Sequence, residues 1–379
     1  MKNLHVSLTE FRNESRVIKQ VNSLSSAKVF KSIYIASLHG DDLKECESYA
    51  GDINLKRFKL TTRKLPKNFV VQVFKFIEYC FRVFFFYRKK SIDVVNVHAL
   101  SLLPLGLVLK KLYKAKLVYD AHELETETNG LWGFRKRVSK FLEGKIIKHV
   151  DMTLVVSENI ADWYADEYTI KRPPVVLNAP NRRELKANNH FREQIGIRND
   201  QVILLYQGGL AAGRGVHLIL EAFKARKDDK LVAVFMGYGQ LEADIKAAAE
   251  HHSNIYFFPA VPPQVVLEYT SSADAGISLI ENTCLSYYYC MPNKLFEYAM
   301  AGLPIVVSNM KDMSDLVTKN NMGAVISEFS PAGINHALDA FLQKDLTQMK
   351  VSAYRVACEN SWEMQEKKML EGYQRMLNR

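Results

Sequence analysis

Residues able to do chemistry gather in a few stretches of this 379-residue sequence. YQGGLAAGRGVHLILEAF, residues 206–223, leaves an apolar run through a glycine-rich turn and enters a helical pattern. Such a turn can present backbone N–H groups to a phosphate, and the guanidinium of Arg214 matches phosphate oxygens in pairs. The alternative is a flexible turn with a solvated arginine. It is no P-loop, because Arg214 and Gly215 stand where Lys and Ser/Thr would hold phosphate and magnesium. GYGQLE, beginning at Gly237, echoes a dinucleotide fingerprint but has Glu242 at the third glycine position, so NAD is not expected. His98 in DVVNVHAL and His122 in YDAHELETE each end a strand-like run. They are placed for polar contact or proton transfer, with a satisfied buried imidazole as the alternative for each. Glu123, Glu125 and Glu127 crowd the second loop, and at most one or two of them are expected to function. The pairs Asp41–Asp42 and Asp228–Asp229 lie in charge-rich loops, neither forms a DxD, and no metal site is expected.

PNKLFEYAMAGLPIVVSN, residues 292–309, holds one carboxylate, Glu297. Pro292 suits a first helical turn, and Gly302 with Pro304 stop the helix about ten residues later. At about 100° per residue, Leu295, Phe296, Ala299 and Met300 share one face, and Asn293, Glu297 and Ala301 the opposite one. Helical geometry alone leaves Glu297 an ordinary solvated carboxylate.

The elements that would position these residues alternate along the chain. Strands are predicted at 4–8, 32–37, 94–99, 116–121 and 153–157, and again at 202–208, 231–237, 255–260, 275–280, 304–309 and 323–327, with helical stretches between them. The fold class is therefore α/β, with two series of parallel strands and two domains. The Pro-, Asn- and charge-rich stretch 171–201 separates them. The domains are predicted at 1–180 and 181–355, with a C-terminal helix over 356–379. Ligands are expected beyond the carboxyl ends of the strands, in a deep cleft between the two domains.

Composition narrows the partners. The net charge of +10 calls for an anionic partner, but the basic residues are scattered without a nucleic-acid-binding signature, so nucleic acid is not expected. Five cysteines, Cys46, Cys80, Cys284, Cys290 and Cys358, form no CxxC pair, which fits a reducing cytoplasm. MKNLHVSLTEF is interrupted by polar residues and gives no signal peptide. FVVQVFKFIEYCFRVFFFYRKK, residues 69–90, is nearly all apolar apart from a strip of Gln72, Lys75, Glu78 and Arg82. Its charges argue against a spanning helix. Two readings remain, a helix packed on a sheet and a peripheral contact with an anionic membrane on its inner face.

In order, DVVNVHA, YDAHELETE, VVSENIADWY, VVLNAPN, QGGLAAGRGVHLILEAF, MGYGQLE, ADAGISLI and PNKLFEYAMAGLPIVVSN resemble the family-four retaining glycosyltransferases of GT-B fold. The resemblance implies two Rossmann-like domains facing across a deep cleft, the first binding a glycan or lipid-linked acceptor and the second a nucleotide-diphosphate sugar. It also implies that the last helix crosses back to the first domain. Glu297 would hold the ribose hydroxyls, and backbone around Met291, Pro292, Asn293, Lys294 and Leu295 would receive the diphosphate. Gly208 and Gly237 would border the nucleotide. Of the family's Arg and Lys phosphate pair, Gly209 stands in the Arg place and Arg214 in the Lys place. Tyr289 replaces the family's frequent first Glu. TEFRNESRV replaces a glycine-rich loop, with Asn13, Ser15 and Arg16 as candidates to face the cleft. His98 matches a donor-sugar contact, and His122 and Glu123 are further sugar or acceptor contacts. Catalysis would rest on His98, Arg214 and Glu297 with no cofactor and no metal, transferring sugar in bacterial surface polysaccharide biosynthesis. The rival functions are a nucleotide-sugar epimerase of the same fold and a non-catalytic partner subunit.

Overall fold

A computed structural model describes residues 1–12, 14–49, 51–66 and 68–378. The chain divides into two compact units, Met1–Val176 with Glu366–Arg379, and Leu177–Gln365.

The first unit contains β1 (Lys2–Val6), α1 (Ser15–Ser26), β2 (Ser32–Leu38), β3 (Cys46–Tyr49), β4 (Ile53–Phe58), α2 (Phe69–Tyr87), β5 (Val94–Val97), α3 (Leu103–Tyr113), β6 (Lys116–Asp120), α4 (Gly133–Ile146), β7 (Met152–Leu154) and α5 (Glu158–Tyr168). Its seven-stranded sheet runs β3-β4-β2-β1-β5-β6-β7, parallel except for β3 against β4. β5 is buried from end to end, and β1 and β6 are buried beyond their first residue, as their apolar runs require in a sheet covered on both faces. β3 and β4 escape the sequence reading because CESY and INLKRF mix charge with apolar residues. β3 is the edge strand, and on β4 Asn54 and Lys56 alternate with the buried Ile53 and Leu55.

The second unit contains α6 (His190–Ile195), β8 (Val202–Gly209), α7 (Val216–Ala225), β9 (Leu231–Tyr238), α8 (Glu242–His251), β10 (Ile255–Pro259), α9 (Val266–Thr270), β11 (Ala275–Ser278), α10 (Leu285–Tyr288), α11 (Asn293–Met300), β12 (Ile305–Ser308), α12 (Lys311–Lys319), β13 (Gly323–Ile326), α13 (Pro331–Leu342) and α14 (Leu346–Glu359). Its six strands are ordered β10-β9-β8-β11-β12-β13 and every pair is parallel. Alternate residues of β8 enter two separate cores. Ile203 and Leu205 pack with α11 and α14 side chains, and Leu204 and Tyr206 with those of α7 and α13. The period of two thus sandwiches the sheet between helical layers. All six strands lie within two residues of where the apolar runs put them. The last helix, α15 (Trp362–Leu377), begins in the second unit and ends in the first. Among the described residues, no helix is long and apolar enough to cross a membrane.

Candidate functional site

In the second unit, the end of β8, the turn behind it and the start of α11 come together. The backbone of Gly208 has φ 115°, a region that disfavours other residues. Gly237 pairs with it in register, and any Cβ there would meet the Gly208 carbonyl. Gly237 therefore keeps β8 and β9 close. The turn closes on Gly215 at φ 68°, where a side chain would meet Leu279. Between them, Arg214 is exposed, with its guanidinium carbon 5.4 Å from the ring centroid of Tyr287.

Helix α11 is eight residues long, shorter than its sequence suggests, because Pro292 is its extended N-cap and not a helical residue. Leu295, Phe296, Ala299 and Met300 are buried as the 3.6 period requires. Tyr298 fixes the helix on the sheet, its hydroxyl accepting from Gln207 N (2.9 Å) and donating to Ile277 O (3.2 Å). No side chain caps α11, so its first N–H groups and the positive end of its dipole are open to an anion. The Leu295 N–H is the exception, donating to the Pro292 carbonyl at 3.1 Å, and the Leu295 side chain is core. That removes Leu295 from the expected diphosphate contacts. Asn293 is exposed, and Met291, Pro292 and Tyr289 are half-buried.

Glu297 is half-buried beside β8, and its Oε2 accepts from Gln207 Nε2 at 2.5 Å. Gln207 is oriented in turn by Thr270, whose hydroxyl donates to its Oε1 at 2.7 Å. Lys294 stands one helical turn earlier. Its Nζ is 3.9 Å from the Tyr206 ring centroid and 3.8 Å from where a side chain on Gly208 would begin. Burial, with Arg214 nearby, pulls the Lys294 ammonium down to about 7, against the opposing pull of Glu297. Gln207, Tyr206 and Thr270 were missed by sequence reasoning. Gln207 had a signal, a polar residue closing the apolar run VILLY just before the glycines.

The first unit assembles a different cluster. Asp120, at the end of β6, is fully buried and accepts from Arg16 Nη2 (2.6 Å), Arg16 Nε (3.0 and 3.1 Å) and Gln20 Nε2 (2.8 Å). His98 Nδ1 and His122 Nε2 lie 3.1 and 3.0 Å from its Oδ2. Burial alone would raise the Asp120 carboxyl, but Arg16 and the histidines hold it well below the usual carboxylate range. A chain of donors runs toward this charge. Tyr373 donates to Asn96 Oδ1 (2.5 Å), Asn96 to Asn3 Oδ1, Asn3 to His5 Nε2 (3.1 Å), and His5 Nδ1 faces His98 Nε2 at 3.0 Å. Neutral His5 and His98 fit that order, and burial lowers both pKa values.

Two expectations are corrected here. His98 has both ring nitrogens occupied within the unit, the satisfied imidazole that the sequence left open as its alternative. Arg16 does not face outward: its side chain is buried on Asp120, and Nη1 donates to Val176 O at 2.6 Å. Ser15 and Glu123 are exposed, and Asn13 lies outside the described residues. His122 keeps a side chain one-third exposed. Burial, and then the charge of Glu123, pushes Glu125 up to about 8, while Glu127 is paired with Lys136 and Lys140. Ligand-type atoms of His98, Asp120 and His122 lie within 4.8 Å of one another. A cation among them would face the Arg16 guanidinium already bound to the same carboxylate, so this donor set does not suit a metal.

Residues 187–355 match the family model described as glycosyl transferases group 1, and residues 33–179 match glycosyltransferase family 4. The chain belongs to the group 1 glycosyltransferases. A search of curated proteins finds no match. Solved structures with this fold include sucrose-phosphate synthase from Thermosynechococcus elongatus, at TM-score 0.82 and 11% identity over 100% of this chain and 99% of that one. Anabaena HepE in complex with UDP and glucose aligns at TM-score 0.72 and 12% identity over 99% of each chain. WaaG, a glycosyltransferase involved in lipopolysaccharide biosynthesis, aligns at 0.68 and 17% over 97% of this chain and 98% of that one. As a group 1 glycosyltransferase of GT-B fold, the chain is an enzyme that uses nucleotide sugars.

Proposed function

We propose that this glycosyltransferase is retaining and metal-independent, and that it moves a sugar from a UDP-sugar, with GDP the second candidate, to a glycan or lipid-linked acceptor. The observation that carries the reading is the presentation of Glu297 by α11 against Gln207, beside Arg214, Lys294 and the open helix end. Glu297 would meet the ribose hydroxyls through its carboxylate, held in place by Gln207. Departure of a nucleoside diphosphate builds negative charge on the β-phosphate. Arg214, the Lys294 ammonium and the first N–H groups of α11 meet that charge in place of a divalent ion. Preorganised donors of this kind are worth about 3–4 kcal/mol each in a transition state. The acceptor hydroxyl then attacks on the face the leaving group vacates, giving retention, and no covalent nucleophile is assigned.

UDP is favoured because HepE, with the same fold, is described with UDP and UDP-glucose. A surface polysaccharide pathway is supported by the likeness to WaaG, described as involved in lipopolysaccharide biosynthesis. A thermal-shift screen of UDP, GDP, ADP and CMP, followed by incubation with the matching sugar nucleotides, tests the proposal. Stabilisation by a nucleoside diphosphate with acceptor-dependent release of it supports the proposal. Conversion of donor alone to an epimer, or no stabilisation by any nucleotide, refutes it.

A further inference from the structure

Helices α2 and α4 of the first unit wear their apolar stripes on the outside. On α4, Phe134, Val138, Phe141 and Leu142 follow helical spacing and are all exposed, Phe134 at 79%. The buried positions are Glu143 and Ile146, and Glu143 lies roughly opposite Phe134 at about 100° per residue. The Glu143 carboxylate accepts from the hydroxyls of Tyr119 (2.8 Å), Tyr164 (2.8 Å) and Tyr168 (2.6 Å). The helix is thus anchored by its polar side. α2 is apolar on two sides, with Tyr79, Val83 and Tyr87 buried and Val70, Phe74, Ile77, Phe81 and Phe85 exposed along another face. α3 packs against both helices and adds exposed Val108 and Leu112. Arg135 stands over the Phe69 ring at 5.4 Å, joining the starts of α4 and α2. Trp132, 80% exposed, precedes α4. Scattered apolar residues need no partner, but a contiguous patch of this kind does.

Charge selects the partner. Around the patch, Arg88, Lys89, Lys111, Lys114, Arg137 and Lys145 take part in no ion pair among the described residues, and the one acid of α4 is the buried Glu143. A second copy seated on this face would set cations against cations. An anionic bilayer would take the aromatic rings at its headgroup boundary and the cations at its surface. We propose that α2, α4 and the end of α3, with Trp132, form one docking face that lies in the plane of an anionic lipid bilayer. This extends the contact expected from 69–90 to elements the sequence did not single out, and it is independent of the nucleotide site.

The test is co-sedimentation of the full chain with vesicles of phosphatidylcholine alone and with added phosphatidylglycerol. The wild type is expected to partition onto the anionic vesicles, with a blue shift of emission that Trp132→Phe removes. The triple variant Trp132→Ser, Phe134→Ser, Phe141→Ser is expected to lose at least about tenfold in partitioning with unchanged melting temperature and UDP affinity. Arg137→Glu with Lys145→Glu is expected to abolish the preference for phosphatidylglycerol. No binding to either vesicle, binding unchanged in the serine variant, or a soluble dimer that the serine variant dissociates would each overturn the proposal.

Discussion

The Lys294 ammonium lies over the Tyr206 ring, 3.9 Å from its centroid, next to the strand end where the resemblance puts Gly209 in the family's arginine place. In the proposed function it supplies a second cation from another element. In the free protein its pKa falls to about 7 through burial and Arg214, so the ammonium predominates below that pH and is lost above it. A bound diphosphate restores the charge. UDP affinity is therefore expected to fall as pH rises from about 7 to 9, with proton uptake on binding. Calorimetry in buffers of different ionisation enthalpy reads that uptake, and Lys294→Met is expected to abolish it and weaken UDP about tenfold.

Arg214 is exposed and touches Tyr287 alone among the ring contacts of the site, so its removal leaves the fold intact. Arg214→Ala is expected to lower kcat by about 100- to 1,000-fold with an unchanged melting temperature. A loss confined to KM would assign Arg214 to ground-state binding only.

Arg16 and Asp120 form a buried ion pair. Arg16→Ala leaves the carboxylate without its main counter-charge and is expected to cost about 3–5 kcal/mol, measured by denaturant unfolding. Because the folded Asp120 pKa is depressed, its stabilisation is complete above the ordinary carboxylate value and is lost as pH falls through the lower one. The acid-unfolding midpoint of Arg16→Ala is therefore expected to rise.

With Arg214, Lys294 and the α11 terminus meeting the diphosphate, turnover is expected to persist in EDTA. Strict dependence on an added divalent ion, restored by Mg²⁺ or Mn²⁺ in an assay of UDP release, would contradict that division of labour.

Local rules reached much of this. Apolar β-branched runs marked every strand of the second unit, since buried parallel strands need little else. They passed over β3, where edge position tolerates Glu47, and β4, where Asn54 and Lys56 alternate with buried apolar residues. At the site, glycines and the helix signals around Glu297 were legible because they depend on neighbours in the chain. The partners were not: Gln207 and Glu297 are 90 residues apart, and Arg16 meets Asp120 across 104. His98 shows the converse, a residue well placed at a strand end whose nitrogens are taken by His5 and Asp120, neither of which its local sequence reveals.

The ribose clamp is tested most directly by titrating UDP into the wild type and Glu297→Ala by calorimetry, with melting temperatures recorded for both. Wild-type binding weakened at least about tenfold in the variant is expected, as for loss of hydrogen bonds to a charged group, with Gln207 Nε2 losing its acceptor but the core untouched. Equal UDP affinity in the two folded proteins would contradict the role of Glu297 at its root.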